Sequence, residues 1–144
     1  VNLFLDTSVL IAGCGSAQGS SRAIFNLSNR NNWILVGSAY AFAEVTPNLS
    51  KLPPEASHTW EQLRRQLTTV EDIVSLDRVV VFPGSKDRPI LFTALAHAET
   101  LLTLDRRDFG DVIGHEFYGL SIMLPYEFLR RERQAGRLID RSED

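Results

Sequence analysis

The sequence predicts an α/β fold, a three-layer α/β/α sandwich built on a mainly parallel five-stranded sheet. Three observations predict it. Five short apolar runs read as buried strands: Val1–Leu5, Trp33–Val36, Val79–Phe82, Leu101–Leu104 and Leu120–Leu124. Stretches of helical periodicity separate them almost throughout, the alternation that gives a parallel sheet covered by helices. Asp6 and Asp105 directly follow two of the runs, at the strand end where sheets of this class bind ligands.

Each element has its own local reason. The first strand ends on Asp6-Thr7-Ser8, and Val9–Ala12 reads as a short helix closed by Gly13 and Gly15. Ser20 or Ser21 caps a helix running to about Asn29, with Ile24, Leu27 and Ser28 at helical spacing. Arg30-Asn31-Asn32 is a turn before the second strand. Ser38 then caps a helix whose buried stripe is Phe42, Val45 and Leu49, and Pro47 bends or ends it. After the stiff Pro53-Pro54 break, Glu55 to Val74 reads as one long helix, with Trp60, Leu63, Leu67, Val70 and Val74 in steps of three and four. Pro83-Gly84-Ser85 follows the third strand. Asp87 caps the next helix, Pro89 sits in its first turn, and Leu91, Ala94, Leu95 and Ala98 form its packing face. The fifth strand follows a turn at Gly119, and Tyr126–Gln134 is the last helix. Residues 1–134 thus form one domain, and 135–144 a charged tail with the composition of a disordered end.

Composition narrows the classes of function. A chain of 144 residues that is 44% hydrophobic has material for one real core. Cys14 is the only cysteine, so no internal disulfide is available, which fits a reducing cytosol. No stretch approaches the roughly 18 apolar residues of a membrane span. No secretory signal is visible in a chain that begins at Val1. The net charge of -3 argues against a protein that coats nucleic acid by bulk charge. It is compatible with an acidic metal site rimmed by basic residues drawn from Arg64, Arg65, Lys86, Arg88, Arg106, Arg107, Arg130, Arg131 and Arg133.

Four carboxylates carry the chemistry: Asp6, Glu44, Asp87 and Asp105. They lie in four separate stretches, and parallel packing would bring them to one edge of the sheet. Gathered carboxylates repel one another, and a hard divalent cation relieves that repulsion. Metal-ion chemistry on phosphate follows. Each acid also has a plainer reading. Asp6 suits an Asx turn or cap, Asp87 an N-cap, Asp105 a turn, and Glu44 an exposed helical position. Together these readings weaken, because one fold serves all four acids. Thr7, Ser8 and Thr103 add hydroxyls able to hold metal-bound water, and Asp108 a nearby acid. Other chemistries lack support. His58, His97 and His115 have no zinc-ligand spacing, and no phosphate-binding glycine loop is present. A phosphatase with Asp6 as nucleophile wants an acid two residues later, and that position is Ser8.

The chain resembles the PIN domain family. The resemblance rests on Leu5-Asp6-Thr7-Ser8-Val9-Leu10-Ile11, on Ser38-Ala39-Tyr40 through Glu44-Val45, and on Lys86-Asp87-Arg88-Pro89-Ile90-Leu91. It continues through Leu102-Thr103-Leu104-Asp105 and Asp108-Phe109 to Pro125-Tyr126-Glu127-Phe128-Leu129. It implies a ribonuclease dependent on Mg²⁺ or Mn²⁺, with Asp6, Glu44, Asp87 and Asp105 as the catalytic, metal-binding quartet. Thr7, Thr103 and Asp108 would support them, and Lys86, Arg106 and Arg107 would grip the RNA. Leu104 departs from the small or polar residue common before the last acid. Many members are VapC-like toxins of type II toxin–antitoxin pairs, which implies a small antitoxin partner, a homodimer, and a cytoplasmic protein without membrane contact. Two alternatives stay open: a solitary RNA-processing nuclease without antitoxin, and an inactive PIN-like module that binds RNA or protein.

Overall fold

The computed structural model describes residues 1–73 and 87–140. The expected strand Val79–Phe82 and the expected phosphate-gripping Lys86 lie outside them. Among the described residues six strands form one sheet, in the order β3-β2-β1-β4-β6-β5. They are β1 (Asn2–Leu5), β2 (Ile34–Ser38), β3 (Leu67–Val70), β4 (Thr100–Leu102), β5 (His115–Phe117) and β6 (Leu120–Met123). All neighbours run parallel except the β5–β6 hairpin at one edge. The helices are α1 (Thr7–Gly15), α2 (Ser20–Ser28), α3 (Ala39–Leu49), α4 (Ala56–Arg64), α5 (Arg88–His97), α6 (Arg106–Phe109) and α7 (Pro125–Gln134).

β1 lies near the middle because its sequence suits burial on both faces: Leu3, Phe4 and Leu5 have no exposed surface. From β1 the chain steps outward through β2 to β3, then crosses back to β4 on the other side of β1. Right-handed crossovers in opposite directions send helices to opposite faces, which gives three layers. α1 packs on α2, α3 and α4, while α5 lies on β1 and β4. Trp33 meets Phe128 edge to face at 5.0 Å, fixing α7 beside the start of β2. Beyond α7, the Ile139 backbone exchanges two 2.8 Å hydrogen bonds with the Asn31 amide.

Among the described residues the sheet holds four of the five expected strands and two that were not expected, β3 and β5. The long helix expected from Glu55 to Val74 stops at Arg64, and Leu67–Val70 pairs with β2 as the edge strand β3. Leu67 and Val70 fit a helical step, but Leu-Thr-Thr-Val is rich in β-branched residues, and an unpaired β2 edge was open to receive them. β5 is three residues long and two of them, His115 and Glu116, are polar, so no periodicity announced it. Pro47 does not end α3, which continues to Leu49. Asn48 Nδ2 donates to the Glu44 carbonyl at 2.8 Å, supplying that disturbed turn with a side-chain donor. α2 has Gly19, rather than a serine, at its cap position.

Candidate metal centre

The site lies where the sheet changes direction. Strands β1 and β4 are adjacent and parallel, yet their connections leave to opposite sides, so a crevice opens beyond their carboxyl ends. Asp6 follows β1, and Thr103, Leu104 and Asp105 follow β4. The ladder continues one step past both strands: Asp6 N–H donates to the Leu102 carbonyl, and Thr103 N–H to the Met123 carbonyl, each at 3.0 Å.

Asp6 is buried at 5% exposure, and its carboxylate does not cap α1. Its Oδ2 accepts instead from Ser8 Oγ at 2.7 Å and from Thr103 Oγ1 at 2.8 Å. The same hydroxyls organise the β4 end. Thr103 Oγ1 accepts from Asp105 N–H, and Ser8 Oγ from Leu104 N–H, both at 3.0 Å. Burial pushes the Asp6 carboxyl above its ordinary value, against the lowering pull of Ser8, Thr103 and the Thr7 amide, and the Asp105 charge pushes it further up. A cation bound here would offset both the burial and the neighbouring charge that disfavour the Asp6 carboxylate.

Asp105 sits at the start of α6, where its Oδ1 accepts from the amides of Arg107 at 3.1 Å and Asp108 at 3.0 Å. The turn role that its sequence suggested is therefore real, and it fixes the carboxylate. Asp87 occupies the cap position of α5 without a side-chain capping bond, and it is 7% exposed. One carboxylate oxygen from each of Asp87, Asp105 and Asp108 lies within 4.8 Å of the other two. Three hard oxygen donors at that spacing fit a divalent cation such as Mg²⁺ or Mn²⁺.

Of the expected quartet, Asp87 and Asp105 come together, joined by Asp108 from the supporting set, and Asp6 lies beside Asp105. Glu44 is not in the group of three; it is half-buried on the second turn of α3. Thr7 Oγ1 donates to the Ala41 carbonyl at 3.3 Å, so its hydroxyl ties α1 to the helix carrying Glu44 while its amide faces Asp6. Arg106 and Arg107 stand exposed on α6. A further acid emerges that the sequence hid. Ser38, expected to cap α3, makes no capping bond, and its buried Oγ has no hydrogen-bond partner among the described residues. Asp72 accepts from Tyr40 N–H at 3.1 Å and does the capping instead. Its only sequence signal was an acid just beyond a β-branched run.

A mainly parallel α/β/α sheet with an acid cluster at its switch point defines a class of domains suited to metal-assisted work on phosphate. The PIN domain family model matches residues 2–107, and the chain belongs to that family, whose members are generally nucleases. Among solved structures, the fold is similar to a chain of VapBC2 from Rickettsia felis, a complex bound to a DNA fragment from its promoter. The TM-score is 0.58 at 16% identity, over 85% of this chain and 97% of that one. No curated protein matches the sequence.

Proposed function

We propose that this protein is a metal-dependent endoribonuclease that cleaves RNA phosphodiester bonds, and that it serves as the toxin of a type II toxin–antitoxin pair. The observation that carries the reading is the meeting of Asp87, Asp105 and Asp108 next to buried Asp6, in a chain of the PIN family. The cation would be Mg²⁺ or Mn²⁺, held by Asp87, Asp105 and Asp108 with Asp6 adjoining. When bound, it supplies a water activated near neutral pH and neutralises charge at the phosphate. The chain's own residues do the rest. Ser8 and Thr103 orient the Asp6 carboxylate, and the α6 amides orient Asp105. Glu44, half-buried on α3, is the fourth member of the expected quartet and stands outside the group of three. Arg106 and Arg107, both exposed beside Asp105, pair with flanking phosphates.

The antitoxin partner follows from the resemblance to VapC-like toxins and from the fold shared with a VapBC2 chain. A homodimer in the cytoplasm completes the reading. Among the described residues no helix is long and apolar enough to cross a membrane. The test is cleavage of labelled single-stranded RNA in Mg²⁺, Mn²⁺ or EDTA. Wild type is expected to cut only with metal, and Asp6→Asn and Asp105→Asn to lose cutting. Undiminished cleavage by Asp6→Asn would overturn the site, and cleavage in EDTA would overturn the metal.

A further inference from the structure

A cavity of about 400 Å³ lies between the α1–α2 connection and the segment that follows β4. Ala12, Leu104, Leu124 and Tyr126 line it, with Arg106 and Ser20 among its polar members, and no acid is among its described lining residues. Leu104 is 41% exposed and Tyr126 57%. Arg130 holds its guanidinium 5.6 Å from the centre of the Tyr126 ring. Leu104 and Arg106 flank Asp105 in sequence, so the backbone that carries this acid runs along the edge of the cavity.

An exposed aromatic ring, apolar walls and nearby guanidiniums without a carboxylate match what an unpaired nucleotide requires. Stacking uses the face of the base, and the guanidiniums offset the charge of the strand. A duplex keeps those faces against each other and cannot offer one. We infer that this cavity holds an unpaired base of the substrate RNA beside the cleavage site, stacked on Tyr126, with Arg106 on the adjoining phosphate. The inference rests on the ribonuclease reading and specifies the strand it acts on. Tyr126 is a positioning residue there, and takes no part in bond breaking.

The test is binding of a labelled single-stranded RNA, followed by fluorescence anisotropy in Ca²⁺, with an abasic position walked along the strand. Tyr126→Ala is expected to weaken binding about tenfold. Tyr126→Phe keeps the ring and stays within about twofold of wild type. At one strand position, base removal should weaken wild type by the same factor and add nothing to Tyr126→Ala. Wild-type binding by Tyr126→Ala, or an abasic loss that simply adds to the substitution, overturns the proposal. Unchanged RNA binding with loss of a dimer in sedimentation makes the cavity a protein interface, and overturns it too. Metal-dependent cleavage by the same wild-type preparation tells the two failures apart. Cutting without a Tyr126 effect leaves the nuclease standing, whereas neither cutting nor binding removes both readings.

Discussion

At the scale of single residues, Asp6 sets the character of the site. Its folded pKa is raised above the ordinary 3.8, so the unfolded chain gives up that proton first. Ionised Asp6 therefore costs stability in the metal-free protein above that pH, and the cost disappears below it. Asp6→Asn is expected to melt higher than wild type in EDTA at neutral pH, with the gap closing as pH falls through the raised folded pKa and gone below 3.8. Thermal melts across pH check this; a lower-melting variant at every pH would show that the hydroxyl bonds to Asp6 outweigh its burial. Thr103 bridges Asp6 and the Asp105 amide with one hydroxyl. Thr103→Val keeps the shape and removes the bridge, and should lower metal-dependent cleavage about 10–100-fold in steady-state kinetics. Cys14 stands apart from this chemistry. Burial pushes its thiol up to about 11 despite Arg22, so alkylation at neutral pH should wait for unfolding.

At the scale of elements, the turn from β2 into α3 is unusually constrained. A Cβ on Gly37 would stand 2.5 Å from the Phe42 ring, and Phe42 is itself wedged edge to face against Trp60 at 5.6 Å. Gly37→Ala is expected to cost about 1–3 kcal/mol in chemical denaturation, and a shift below the error of the midpoint would refute the packing argument. Asp72→Ala removes the carboxylate that caps α3 at Tyr40 and should cost about 1 kcal/mol. Sequence made α3 itself legible, because Phe42 and Val45 fall on one buried face. It concealed the cap, because Asp72 arrives from a segment whose Leu67 and Val70 keep a helical step while Thr68, Thr69 and Val70 are β-branched and favour a strand. A local pattern cannot choose between periodicity and propensity when the deciding contact is a β2 edge about thirty residues earlier.

At the scale of the whole molecule, the fold assembles the acids at a cost that a cation can offset. Binding to the folded protein alone stabilises it by mass action, about 2.7 kcal/mol at a hundredfold excess over Kd. Mn²⁺ should accordingly raise the melting temperature of wild type over EDTA, and Asp105→Asn should lose most of that rise. Equal shifts in both proteins would place the metal elsewhere. The topology explains why these acids meet. β1 and β4 are far apart in the chain, but the change of direction between them makes them neighbours with their carboxyl ends aligned.

By itself the sequence determined the α/β class, the strand ends that carry Asp6 and Asp105, and the family, because apolar runs and their flanking acids are local patterns. Only the tertiary structure decided which acids share one point. Asp108 moved from the periphery into the group of three because Asp105 caps α6 and brings its third residue back alongside. Thr7 turned to the Ala41 carbonyl, leaving Ser8 and Thr103 to hold Asp6. Hydroxyl direction and carboxylate spacing depend on neighbours distant along the chain, and no local pattern encodes them.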